Sequence, residues 1–233
     1  MACKSAVAED VITASGRDML ARPADELRAR FAALKIVQFD DFVRADVLSR
    51  IVRHMLLMVR KYAVRIERPH LVTPGSMVDG RRFWRIDGGP FAESWHTDAD
   101  RAAIREAFDA SGLNAFAACL LAAAQPTFEA VVGRPLRYDR VFLLDYGEGD
   151  FIAPHGDTQT SGRILAQMPV TFNCRTAFRA LRAGWMEPFY DDPGSLRLMG
   201  PGIWHDALPV PRLPGEGAPE RVVVTVRLPY REE

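Results

Sequence analysis

Four short apolar runs, all in roughly the last hundred residues and each cut off by glycine, proline or asparagine, constrain this chain more than any other feature. They are RYDRVFLLDYG (Arg137 to Gly147), RILAQMPVTFN (Arg163 to Asn173), SLRLMG (Ser195 to Gly200) and RVVVTVRLPY (Arg221 to Tyr230). Their length, β-branched content and turn-forming borders read as strands. Several such strands bury their apolar sides by pairing into a sheet that folds on itself, an antiparallel sandwich or barrel.

Before Pro135 the texture is helical. Apolar residues recur at helical spacing from Pro23 to Lys35, from Asp46 to Ala63 and from Asp98 to Ala110. The run from Gly112 to Val132 has a largely apolar surface and reads as a buried helix that Pro126 should kink or end. The expected architecture is one α+β domain over residues 1–233. Residues 1–134 form mainly helical support with a loop at 68–98, and residues 135–233 form the β core, with the helices packed on its outside.

Thirty basic residues cancel thirty acidic ones, so no global field favours nucleic acid or an anionic membrane. Three cysteines without a CxxC pair give no basis for a structural zinc site. The N-terminus lacks the apolar segment of a signal peptide, and no stretch approaches the roughly 18 apolar residues of a membrane span. These features predict a soluble, cytoplasmic chain with no nucleic-acid or membrane partner. They leave the oligomeric state open.

The chemistry-bearing segment is YGEGDFIAPHGDT, Tyr146 to Thr158. Residues two apart in an extended segment point to one side, so His155 and Asp157 can grip one ion together. A third ligand must come from elsewhere: His54 sits in a helical pattern, His70 and His96 in the loop-rich stretch, and His205 in the strand region 48 residues past Asp157. His205 is the natural choice. Two histidines and a carboxylate leave metal positions open for O2 and a co-substrate, as non-haem Fe(II) oxygenases require, although zinc also accepts that set.

The same segment resembles the Tyr-x-x-Gly-x-x-x-x-x-His-x-Asp signature of the prolyl-4-hydroxylase-like 2-oxoglutarate/Fe(II) oxygenases. RILAQMPVTFN is similar to the strand that follows in that family, GSLRLMGPGIWHDALPV to its approach to the distal histidine, and ERVVVTVRLPY to its last strand. The order also matches, over about Arg137 to Tyr230. The resemblance implies a double-stranded β-helix (jelly-roll) core and an Fe(II)- and 2-oxoglutarate-dependent dioxygenase using O2. It implies that His155, Asp157 and His205 hold iron, and that Arg221, Tyr146 and Thr225 bind 2-oxoglutarate. Asp157 stands where halogenating relatives carry a small residue, which favours hydroxylation.

Arg221 follows His205 by 16 residues, longer than the family's usual interval, with a Pro/Gly-rich insertion between them. Arg227 shares its strand parity and is the runner-up for the co-substrate carboxylate, with Arg212 third. Outside the core, GRRFWRIDGGPFAESWHTD (Gly80 to Asp98) is expected to lie over the barrel mouth with Trp84 or Arg85 facing substrate, and Trp204 is a weaker substrate contact. No appended peptide-binding module is evident, which favours a small-molecule substrate such as an amino acid or natural-product intermediate. A peptidyl or protein residue, or cupin-like chemistry without 2-oxoglutarate, are the alternatives.

Overall fold

A computed structural model describes residues 11–68, 80–89, 95–156, 162–182 and 184–231. Its helices are α1 (Ala14–Leu20), α2 (Asp25–Leu34), α3 (Ala45–Val59), α4 (Asp98–Ala110) and α5 (Leu113–Val132). Its strands are β1 (Ile36–Phe39), β2 (Val64–Arg68), β3 (Arg81–Ile86), β4 (Arg140–Tyr146), β5 (Phe151–Gly156), β6 (Arg163–Phe172), β7 (Ala177–Arg182), β8 (Trp185–Tyr190), β9 (Leu196–Met199), β10 (Trp204–Ala207) and β11 (Glu220–Pro229). All pairings among them are antiparallel, in the order β1-β9-β6-β11-β4-β3-β5-β10-β7-β8, with β2 added to β3. The sheet curls until its ends meet: Phe178 and Phe189 of β7 and β8 join Ile36 of β1 and Met199 of β9 in one apolar cluster. This is the expected jelly-roll core.

Strand alternation divides the interior in two. On β11, Val222, Val224, Val226 and Leu228 face the helices, together with Ile164, Ala166, Met168 and Val170 of β6. Arg221, Val223 and Arg227 face the other way, into a cavity. Helices α3 and α5 close the apolar side, where Phe39, Phe42 and Phe128 bring their rings 5.2–6.3 Å apart. Truncating Phe128 to alanine should cost about 3–5 kcal/mol through the void left in that cluster.

Three expectations are corrected. Helix α5 runs unbroken through Pro126. Proline removes the bond to the carbonyl of Ala122, but Pro126 and Ala122 are both exposed, so water can satisfy that oxygen while buried residues on the opposite face hold the helix. The same helix is long and apolar enough by length and composition to cross a membrane. Here nine of its residues, from Leu113 to Val131, are buried, and it packs on α2, α3 and α4. Lastly, residues 68–98 are not simply a loop: β3 lies inside the sheet between β4 and β5, and β1 pairs with β9, so the core draws strands from both halves of the sequence.

Candidate active site

The site begins with the turn between β4 and β5, the Gly-Glu-Gly-Asp of the signature. Asp150 is buried and accepts from the Gly147 amide (3.0 Å), from both terminal nitrogens of Arg65 (2.7 and 2.9 Å) and from Arg82 Nε (3.0 Å). Gly149 has φ +71°, and a Cβ there would stand 2.6 Å from Arg82 Nη2. These contacts pin the start of β5 to β2 and β3, and so set where His155 emerges. Nothing in the sequence reading assigned Asp150 a task.

His155 of β5 and His205 of β10 are directly opposed across the two strands, with ring centroids 4.3 Å apart, and both are buried. Each ring bonds a backbone carbonyl through Nδ1, His155 to Ala153 at 2.8 Å and His205 to Ile203 at 3.0 Å. A carbonyl only accepts, so Nδ1 is the donor in each bond, and in a neutral imidazole Nε2 is then the atom that carries the lone pair. That is the arrangement in which imidazole serves as a metal ligand. Phe178 of β7 stacks on His205 at 5.1 Å and restricts its tilt.

Asp157 lies outside the described residues, and among those described no set of three ligating side chains gathers. Asp206 lines the cavity, but Arg179 grips both of its oxygens at 3.0 and 2.5 Å. His54 is exposed on α3, His96 does not line the cavity, and His70 lies outside the described residues.

Beyond Phe178 the cavity wall becomes a buried charge cluster. Arg221 aligns with Tyr146 on β4 and stacks over its ring at 4.9 Å. Asp191 accepts from Arg221 Nε at 2.6 Å and also pairs with Arg197, whose guanidinium lies 5.1 Å from the Phe178 ring. Burial opposes its charge, yet the two guanidiniums hold the Asp191 carboxyl below the usual range. Burial likewise pushes the Tyr146 hydroxyl up to about 12, so it remains a donor. Arg197 Nε and Nη1 and the Thr225 hydroxyl are buried without a hydrogen-bond partner. Thr225 aligns with Gln167, and Gln167 with Arg197, so these unused donors surround one place. Two guanidiniums against one carboxylate leave a positive charge there, and a further carboxylate would satisfy it.

The cavity, about 400 Å³, is lined by His155, His205, Tyr146 and Arg221 and also by Arg85 and Arg227. Arg227 stands six residues beyond Arg221 with its Nε 3.2 Å from Asp139, away from the Asp191 cluster. Arg212 is exposed and 3.6 Å from Glu148. Trp84 points the wrong way: strand parity puts it on the outer face opposite Asp145, under Arg65 and 39% exposed. Trp204 is likewise not among the cavity-lining residues, since it alternates with His205 and packs beside Gly156. Sequence reasoning missed Phe178, Gln167, Asp191 and Arg197. The one available signal was an arginine between two buried leucines in SLRLMG, which parity alone assigns equally well to solvent.

No protein-family model matches the sequence, and no curated protein matches it. Solved structures do. A 2OG-Fe(II) oxygenase family oxidoreductase from Burkholderia pseudomallei has 11% identity and a TM-score of 0.55, covering 89% of this chain and 91% of that one. A prolyl hydroxylase from Trichoplax adhaerens, in complex with a hypoxia inducible factor oxygen degradation domain peptide, has 9% identity and a TM-score of 0.53, covering 94% of each. The non-heme alpha ketoglutarate dependent carbocyclase SnoK from nogalamycin biosynthesis has 10% identity and a TM-score of 0.56, covering 91% of this chain and 88% of that one. With its closed antiparallel sheet and the histidine pair inside it, this chain has the fold of the 2-oxoglutarate/Fe(II) oxygenases of prolyl-4-hydroxylase type.

Proposed function

We propose that the protein is a 2-oxoglutarate- and Fe(II)-dependent dioxygenase that hydroxylates an unactivated C–H bond of a small molecule, an amino acid or natural-product intermediate. The observation that carries this reading is the histidine pair, opposed across two strands with each Nδ1 on a backbone carbonyl, in one cavity with Arg221. A cupin-like metal site without 2-oxoglutarate would have no use for the second feature, a buried excess of guanidinium beside unused hydroxyl and guanidinium donors.

In this reading His155, Asp157 and His205 hold the iron. Fe(II) with 2-oxoglutarate and O2 supplies an oxidant strong enough for a C–H bond, the co-substrate leaving as succinate and CO2. The chain's own residues bind and orient. Arg221 receives the 5-carboxylate of 2-oxoglutarate, with Tyr146 and Thr225 donating hydroxyl hydrogen bonds beside it. Asp191 holds Arg221 by its Nε side. Phe178, Phe83 and Leu144 keep the space between apolar and dry. No side chain needs to act as a nucleophile or general base. A peptidyl substrate is the second reading, since one structural relative was solved with a peptide. The cavity's own small volume favours the first.

Anaerobic absorption spectroscopy tests the proposal. Adding Fe(II) and then 2-oxoglutarate should produce a visible charge-transfer band that requires both, vanishes in His155→Ala and weakens in Arg221→Ala. Iron binding without such a band would favour the cupin-like reading.

A further inference from the structure

Strand β9 reads Leu196, Arg197, Leu198, Met199, and all four residues are buried. Three of them show that apolar side chains fill this wall, yet the side chain of Arg197 is 0% exposed. A guanidinium out of water is costly, and a well-packed apolar side chain in its place is often at least as stable. Among the described residues, Arg197 Nε and Nη1 have no hydrogen-bond partner. The position is therefore poorly explained by stability, and the contacts Arg197 does make lie in both halves of the site.

Its Nη2 pairs with Asp191, the carboxylate that also accepts from Arg221 Nε at 2.6 Å. Asp191 and Arg221 alone would form a neutral pair, and Asp191 would repel the 5-carboxylate that Arg221 is to receive. Arg197 offsets the Asp191 charge and leaves that of Arg221 in force. The same guanidinium lies over the Phe178 ring, 5.1 Å from its centroid. That ring stacks on the His205 imidazole at 5.1 Å and meets Phe189 edge-on at 6.4 Å. A guanidinium on a ring away from water is a strong form of that contact, and it holds the ring in place. One buried side chain thus reaches Arg221 through Asp191 and His205 through Phe178.

We propose that Arg197 is a positioning residue shared by the two halves of the site. Through Asp191 it keeps the charge of Arg221 available to the co-substrate carboxylate, and through Phe178 it fixes the tilt of His205 toward the metal. The inference rests on the oxygenase reading and adds to it a residue that acts on both ligands through other side chains.

Two anaerobic titrations test this. Fe(II) is titrated against a chromophoric chelator without co-substrate, and 2-oxoglutarate is then titrated into Fe(II)-saturated protein, followed by the charge-transfer band. Arg197→Met leaves Asp191 paired with Arg221. It should raise the Fe(II) dissociation constant by about 3–30-fold, the range of a desolvated guanidinium–ring contact. It should raise that of 2-oxoglutarate by about tenfold. Arg197→Lys keeps a charge on Asp191 but has no planar group to lay on Phe178. It should recover 2-oxoglutarate binding to within about threefold while keeping the iron defect. Phe178→Leu should reproduce the iron defect, and it decides the matter should both Arg197 variants fail to fold. A purely structural Arg197 would move the denaturation midpoint and neither dissociation constant. That outcome, an effect of Arg197→Met on one ligand alone, or unchanged Fe(II) binding in Phe178→Leu would each overturn the inference. The unsubstituted protein separates the two levels. If it gives no band with Fe(II) and 2-oxoglutarate, the oxygenase reading fails and takes the inference with it; if it gives the band and Arg197→Met binds both ligands as tightly, only the role of Arg197 is wrong.

Discussion

At one end of the cavity Arg221 and Arg197 share Asp191 and are almost fully buried; at the other, Arg140 and Arg227 face each other beside Asp139, which is 28% exposed. Both ends hold two guanidiniums around a carboxylate, yet at the first the carboxylate is fully buried beside Tyr146, Phe178 and Thr225, while at the second it is partly in water and the arginine side chains are 8% and 11% exposed. The difference lies in the carboxylate: a fully buried one fixes its guanidiniums in a preorganised, desolvated cluster, whereas one partly in water holds them less firmly.

Substitutions at the two ends test that contrast. The largest effect is expected where the two ends meet: His155→Ala and His205→Ala should each lower succinate release by at least about a thousandfold and abolish stoichiometric iron, as metal analysis would check. Next is Asp191→Ala, which strands two buried guanidiniums and should cost about 3–5 kcal/mol in chemical denaturation. Removing Asp139, which is partly in water, should cost less than about 1 kcal/mol. If the two losses are equal, burial of the carboxylate does not distinguish the ends. Arg221→Ala should weaken 2-oxoglutarate binding by roughly 30–150-fold, the value of a charged, two-point contact, while Arg227→Ala changes it less than about threefold. The reverse pattern would move the co-substrate to the Arg227 end.

A separate effect, on stability alone, lies on the outer face of β4. Burial raises the Asp145 carboxyl to about 6 despite Arg60 at 3.3 Å. A carboxyl whose folded value exceeds its unfolded one binds more protons when folded, so its charge lowers stability as pH rises from about 4 through 6. Asp145→Asn should therefore stabilise the protein by about 1–3 kcal/mol at pH 7.5, with the gain fading as pH falls through 6. Urea midpoints at the two pH values would measure it.

Much of this was legible before the fold was known, because it depends on local pattern. The four apolar runs became β4, β6, β9 and β11 nearly to the residue, since alternation and turn residues are local properties. His155 and His205 were singled out by type and spacing, and the structure opposes them across two strands. What was not legible involves facing directions and distant partners. Trp204 looked like a site residue because it neighbours His205, and Trp84 because its segment read as a loop over the barrel mouth, but in a strand successive residues point to opposite faces. Pro126 looked like a helix end because the sequence does not reveal that Ala122 faces water.

By itself, then, the sequence determined which segments pair as strands, which pack as helices and which two histidines can share an ion, because periodicity and residue chemistry act over a few residues. Only the tertiary structure decided that β1 and β3 join the core, that Asp150 pins the signature turn, and that Asp191 unites Arg197 with Arg221. Those facts depend on sheet order and on which face of each strand looks inward, and a curled sheet makes an inward charge look, in sequence, the same as a solvated one.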